Sequence, residues 1–225
     1  MVERFFVIQL NNLSTRASQL SKEMQNLKRK LIEAMCDTHE AMKHNEGLRK
    51  NHHKNVAQAL DGIRRTLSHY NCIRSLLGRL SKSQNLSQKE STLIQVFSYL
   101  IIAEGGVCNS LNWASYLLVA LGHDLYSSTG RKYVKPSMEE IGKVEMTTKI
   151  HFLNNHGFDA LTKEYDSTLR NDITHHNYEV DKKGVLWVRG RPVDLGSKID
   201  TLVKMMILFG DSGQEALDRW QDEQS

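Results

Sequence analysis

Apolar residues recur in steps of three and four along two long amino-terminal stretches, and that period commits the chain to packed helices. Leu13, Ala17, Leu20, Met24, Leu27, Leu31 and Met35 fall on one helical stripe. After the polar segment His44-Asn45-Glu46-Gly47 and the pair His52-His53, a second stripe runs Val56, Leu60, Ile63, Leu67, Tyr70 and Leu77. The element expected is an antiparallel helical hairpin over residues 1–85. The polar bridge Ser81-Lys82-Ser83-Gln84-Asn85-Leu86-Ser87 closes it and marks a domain boundary, with a second helical domain over 86–225. Only two prolines interrupt the 225 residues, and 40% hydrophobic content can fill a sizeable core, so the fold class expected is mainly α.

Between Ser91 and His123, Glu104 is the one acidic or basic residue. Gln95, Ser98, Glu104-Gly105-Gly106, Asn109, Ser110 and Asn112 cut the apolar run below the roughly 20 continuous residues a bilayer demands. A buried pair of helices, or one helix bent at Gly105-Gly106, is expected, and no membrane partner. Gly122 and the run Tyr126–Arg131 mark a loop. Pro136-Ser137-Met138-Glu139-Glu140 then opens a helix that stops near Asn154-Asn155-His156-Gly157. The next helix carries Leu161, Tyr165, Leu169 and Ile173 on its core-facing stripe. Tyr178-Glu179-Val180, the turn Asp181-Lys182-Lys183-Gly184 and Val185-Leu186-Trp187-Val188 predict a small β-hairpin. A last helix from Asp194 or Ser197 buries Ile199, Leu202, Val203, Met206 and Leu208 and ends at Gly210.

Cys36, Cys72 and Cys108 are odd in number and lack a C-x-x-C pair, which argues against a disulfide framework and against a zinc ribbon. The first ten residues hold an apolar stretch without a small-residue cleavage site, so a reducing cytoplasm is expected. Residues 1–85 hold 15 Lys+Arg against 7 Asp+Glu, and the remainder 15 against 19, so the basic excess of this +4 chain is amino-terminal. A solvated helix surface explains most such excesses, and RNA contact gains weight only beside a second sign. His39, His44, His52, His53 and His69 fit a solvated face better than a ligand set. Asp172 and His176 are four apart and His151 and His156 precede them, but no H-E-x-x-H motif occurs, so neither metal nor cofactor is expected. Trp113, Trp187 and Trp220 fit packing roles, although Trp187 on the hairpin is placed to approach RNA.

Arg170-Asn171-Asp172-Ile173-Thr174-His175-His176 concentrates the ionisable chemistry. An arginine that holds a phosphate, an amide that orients it and a histidine that moves a proton near neutral pH suffice for metal-free transesterification of RNA. At about 100° per residue, Ile173 and His176 point toward the core, whereas Asn171 and His175 share another face that Arg170 can reach from the flank. His175 is the preferred proton carrier and His176 a packing residue. Glu104, isolated in its charge-poor stretch, needs a partner such as Arg170 or His175. Taken singly, Arg170 and Asn171 also fit a surface ion pair and a helix-end polar group. Glu104 equally fits a structural hydrogen bond.

This motif resembles the HEPN superfamily of small helical domains, whose signature is Arg, usually followed by Asn, with His a few residues on. Here Arg170-Asn171 is followed by His175 after four intervening residues or His176 after five, with helices before and a hairpin and closing helix after, across roughly residues 86–210. The resemblance implies an up-and-down helical bundle, a homodimer with a composite site, and metal-independent endoribonuclease activity in defence, toxin or RNA-processing settings. His175 would move the ribose 2′-OH proton or protonate the leaving oxygen, Arg170 would stabilise phosphoryl charge, and Asn171 would hold the geometry, leaving a 2′,3′-cyclic phosphate. HEPN-like domains also occur as inactive nucleotide-binding or assembly units, and a toxin setting would add an antitoxin partner. A third possibility is an interaction protein whose Leu13–Met35 seam pairs with another chain.

Overall fold

The computed structural model describes residues 22–42, 46–82, 86–133, 137–163 and 165–222. The boundary expected at residue 85 and the seam from Leu13 to Leu20 lie outside these residues. Helix α1 spans Lys22–Ala41 and α2 spans Glu46–Lys82, a run of 37 residues. Helix α3 (Gln88–Leu100) passes through a π-helical segment, Ile101–Val107, into α4 (Cys108–Ala120). Strands β1 (Leu125–Tyr126) and β2 (Lys132–Tyr133) form a small antiparallel pair where a loop was expected. Four short helices follow: α5 (Met138–Lys143), α6 (Met146–Asn155), α7 (Asp159–Thr162) and α8 (Ser167–Thr174). Strands β3 (Tyr178–Val180), β4 (Leu186–Val188) and β5 (Arg191–Val193) make an antiparallel meander before α9, Leu195–Asp222. The chain is mainly α with a little antiparallel sheet.

The stripes are the core. Leu27, Leu31 and Met35 of α1 and Val56, Leu60 and Ile63 of α2 are buried, with Leu67 and Tyr70 packed at its edge. Full burial of one such side chain stabilises by roughly 1.5–3 kcal/mol. Helix α1 lies chiefly along α9, whereas α2 lies against the π segment and α9, so α9 takes the place each would hold beside the other in a hairpin. Among the described residues the α1 seam is therefore occupied from within the chain.

Gly210 does not end the last helix, and a Cβ there would meet only Ile63 Cγ2 at an ordinary 3.8 Å. Close approach is served three residues on, where a Cβ on Gly213 would stand 2.7 Å from Leu60 Cδ2 and 2.9 Å from Trp113 Cη2. The helix starts where Asp194 Oδ1 accepts from Ser197 N at 3.2 Å. Gly105 and Gly106 likewise do not split this stretch into two helices, since the helix continues through them as the π segment. A Cβ at Gly106 would meet Met206 Sδ at 2.2 Å, so this stretch is where α9 presses on the π segment. The resulting helix, Gln88–Ala120, has the length and mean hydropathy (1.4) to cross a bilayer, with 39% of that window buried in the protein. Of the residues that interrupt its apolar run, Asn112 has a structural partner, accepting from the buried Lys149 Nζ at 2.6 Å.

The single helix expected from Ser137 to Asn155 is two, α5 and α6, parted where Val144 turns extended, but its end signals operate: Ser137 and Glu140 form a capping box on α5, and α6 stops at Asn155 before Gly157, whose φ is +77°. The motif helix is shorter than its stripe suggested. Leu161, Tyr165, Leu169 and Ile173 are all buried, but α8 begins only at Ser167, because Asp166 turns out of the helix and caps it by accepting from Leu169 N at 2.9 Å.

Candidate functional site

Three elements meet at the motif. Helix α8 carries it, the π segment supplies Glu104, and the sheet adds an arginine. The Arg170 Nε–H donates to Glu104 Oε1 in a close ion pair, and Arg170 Nη1 donates to Asn171 Oδ1 at 2.8 Å. This pairing holds the Arg170 guanidinium above its usual pKa, first through the Glu104 hydrogen bond. Both side chains keep solvent contact, 30% for Arg170 and 41% for Glu104, so an anion can still reach the guanidinium edge. Behind them, burial pushes the Tyr99 and Tyr165 phenols and the Cys108 thiol upward; Tyr165 Oη lies 3.4 Å from Cys108 Sγ. All three therefore back the site as neutral groups.

His175 is the C-terminal cap of α8 and is exposed, its N–H bonded to Asn171 O at 2.9 Å. That bond is one helical turn, which keeps residues 171 and 175 on one face. The His175 imidazole has no hydrogen-bond partner among the described residues. The structure thus joins Glu104, Arg170 and Asn171 directly, with His175 free at the end of the same turn.

His176 is not a packing residue. The helix ends before it, so the projection at 100° per residue no longer applies, and the residue is exposed with φ +58°. His176 N donates to Ile173 O at 3.1 Å and Asn177 N to Asp172 O at 2.7 Å, the two bonds of a Schellman cap with His176 at its left-handed position.

Arg189 was not anticipated. It and Gly190 have φ of +50° and +72°, as a two-residue type I′ hairpin turn between β4 and β5 requires. From there Arg189 Nη2 donates to Asp172 Oδ1 at 3.0 Å, and Nε stands 2.6 Å from Oδ2 as an ion-pair contact outside hydrogen-bond angles. Asp172 is only 3% exposed, so this residue inside the motif faces the sheet. The Arg189 guanidinium is held above its usual pKa, first by the same bond. The sheet is itself fixed to α3, where Thr92 Oγ1 donates to Gly184 O at 2.6 Å. Beside the turn lies an open concavity of about 280 Å³ lined by Asn177, Tyr178, Glu179, Trp187, Arg189 and Gly190. It does not include Arg170, Asn171 or His175.

One other histidine expectation changes, for His39, His52 and His53, while His69 stays exposed and His44 lies outside the described residues. His39 and His52 are buried and His53 half-buried, not a solvated face, because α1, α2 and the end of α9 converge there. His53 Nε2 and His39 Nδ1 are hydrogen-bonded at 3.1 Å, and both rings stack on Trp220 with centroids at 5.0 and 4.6 Å. His151 pairs with Asn155, and His156 Nδ1 with Phe152 O at 2.7 Å. Among the described residues no group of three or more His, Cys, Asp or Glu side chains is gathered to hold a metal ion. Trp113 and Trp220 are buried, whereas Trp187 is 37% exposed and so is not a core residue.

No protein-family model, curated protein or solved structure matches the chain.

Proposed function

We propose that this protein is a metal-independent endoribonuclease of HEPN type that cuts single-stranded RNA as a homodimer. The observation that carries the reading is the Glu104–Arg170–Asn171 cluster at the end of α8, with a solvent-facing His175 one turn further along. In this reaction the ribose 2′-oxygen attacks the adjacent phosphorus, its proton passes to an imidazole, and the 5′-oxygen leaves with a proton from another. His175 of each protomer supplies one of these roles. Arg170 offsets charge on the pentacoordinate phosphoryl group, Asn171 fixes the guanidinium, and Glu104 holds it in place until phosphate competes for it. The products are a 2′,3′-cyclic phosphate and a 5′-hydroxyl.

A second copy has somewhere to dock. Phe97, on the same helix as Glu104, is 62% exposed, with Ile94 and Ile101 half-exposed near it. An apolar strip leading into the motif suits a two-fold pairing that brings two α8 helices together. The reading places the protein in the cytoplasm, off the membrane, and in a defence or toxin setting where an antitoxin would cover the same cluster. The test is cleavage of single-stranded RNA in EDTA by the purified protein, with the 2′,3′-cyclic end identified on the product. Equal activity in His175→Ala overturns the assignment.

The pairing of Arg170 with Glu104 favours one alternative, a non-catalytic nucleotide-binding module in which the motif holds phosphate without turnover. Binding of RNA with no product in the same titration selects it.

A further inference from the structure

The concavity beside the Arg189 turn has the composition of a stacking platform. By strand register Trp187 stands between Glu179 on β3 and Pro192 on β5, on the outward face of the sheet, while its neighbours Leu186 and Val188 are buried. The indole is held from one edge: Nε1 donates to Asp181 Oδ2 at 3.2 Å. That carboxylate is itself locked in the turn, accepting from Val185 N at 2.9 Å and Lys183 N at 2.8 Å. A surface indole fixed this way loses little conformational entropy when a flat group stacks on it.

The charges beside it select what that group belongs to. The Arg189 side chain is 66% exposed even though Asp172 accepts one Nη2 hydrogen and stands against Nε, so donors remain for a phosphate. Glu179 lines the same hollow and repels a lone anion, but its carboxylate accepts from the exocyclic amine of a base. The hollow thus suits a base with its phosphate attached better than free phosphate. Its volume, about 280 Å³, falls just below that of ligand clefts (roughly 300–1,000 Å³), and its open side suits one unit of a longer strand. Asp172 ties it to the motif, being the residue after Asn171, and the Tyr178 ring, which lines the hollow, has its centroid 6.2 Å from that of His176.

We infer that this hollow is a nucleotide subsite for single-stranded RNA, Trp187 stacking the base and Arg189 holding its phosphate, flanking the bond cut at His175. Only its placement beside the cut bond rests on the ribonuclease reading. The test therefore uses a fluorescein-labelled 2′-O-methyl oligonucleotide of mixed sequence, which lacks the attacking hydroxyl and reports binding alone. Trp187→Leu is expected to weaken its Kd roughly 5- to 100-fold, and Trp187→Phe, which keeps a stacking ring, to stay within about 3-fold of the natural protein. Because Trp113 and Trp220 are buried, the oligonucleotide should also quench tryptophan fluorescence in the natural protein and not in Trp187→Phe. That readout survives even if the Leu variant does not fold. Unchanged binding by a folded Trp187→Leu, equal losses in Leu and Phe, absence of quenching, or no binding at all each overturns the subsite. Quenching with the Leu–Phe difference intact but no RNA cleavage leaves the subsite standing and removes the nuclease reading. Cleavage abolished by His175→Ala with binding indifferent to Trp187 does the reverse.

Discussion

Of the places where histidines gather in this molecule, two are opposites. At the end of α8, His175 faces water beside an ion pair and has no ring partner among the described residues. Where α1, α2 and α9 meet, His39 and His53 are bonded to each other and lie flat on Trp220, with His52 wholly buried beside them. Residue type is the same in both, but burial decides the chemistry. Burial, helped by the neighbouring His53 and His39, pushes the His52 imidazole down to about 4. It is neutral near pH 7 and serves as packing. An imidazole that must exchange protons with a substrate needs the first setting, and the second forbids it.

The largest test of that contrast is kinetic. His175→Ala should lower RNA cleavage by roughly 10²- to 10⁴-fold, and Arg170→Ala should fall comparably, while the melting temperature of each stays close to that of the natural protein. His52→Leu should cut RNA at the natural rate. A loss of cutting in His52→Leu at unchanged stability would reverse the roles of the two clusters.

The next effect is on stability against pH. His52 titrates near 6.5 when unfolded and about 4 when folded, so the unfolded chain binds the extra proton first. The folded state is therefore penalised progressively as pH falls from about 6.5 to 4, and the penalty is complete below that. The size of the shift corresponds to about 3 kcal/mol. Urea midpoints measured across this window should drop in the natural protein and drop less in His52→Leu. At pH 7 that variant should be about 1–3 kcal/mol more stable or neutral, because neither His52 ring nitrogen has a hydrogen-bond partner among the described residues. Parallel pH curves for the two proteins would mean that His52 is already protonated or solvated in the fold.

How much of this was legible in the sequence depended on range. The core stripes of α1 and α2, the Ser137 capping box and the buried face Leu161, Tyr165, Leu169 and Ile173 are local patterns, and the structure reproduces them. So is the pairing of Tyr178–Val180 with Leu186–Val188. Two expectations near the end of the chain differ from the structure. Gly210 is an expected helix end although α9 runs on to Asp222, and no strand is expected after Val188 although β5 follows, with Pro192 accommodated because that strand is at the sheet edge. Arg189 reaches Asp172 only because a two-residue turn folds β5 back, and the histidine stack needs three helices to converge. Neither leaves a periodic mark. Of the motif, the Glu104–Arg170 pair followed from an isolated charge needing a partner, whereas the short reach of α8 did not follow from its stripe.

That short reach makes the smallest prediction the most discriminating about which histidine matters. His176 occupies the left-handed cap position at φ +58°, where glycine is free of Cβ strain and any other residue is held at some cost. If its side chain has no part in catalysis, His176→Gly should raise stability by about 0.5–1 kcal/mol in urea melts and leave cleavage unchanged. Histidine is among the residues that enter this region more readily, and here its exposed ring adds nothing to the cap, whose bonds are all backbone. A stabilised His176→Gly that cuts more slowly would therefore show that the strained conformation is retained for the ring. The proton carrier would then be His176, set beyond the helix and nearer the Tyr178 end of the hollow, with His175 reduced to ending α8.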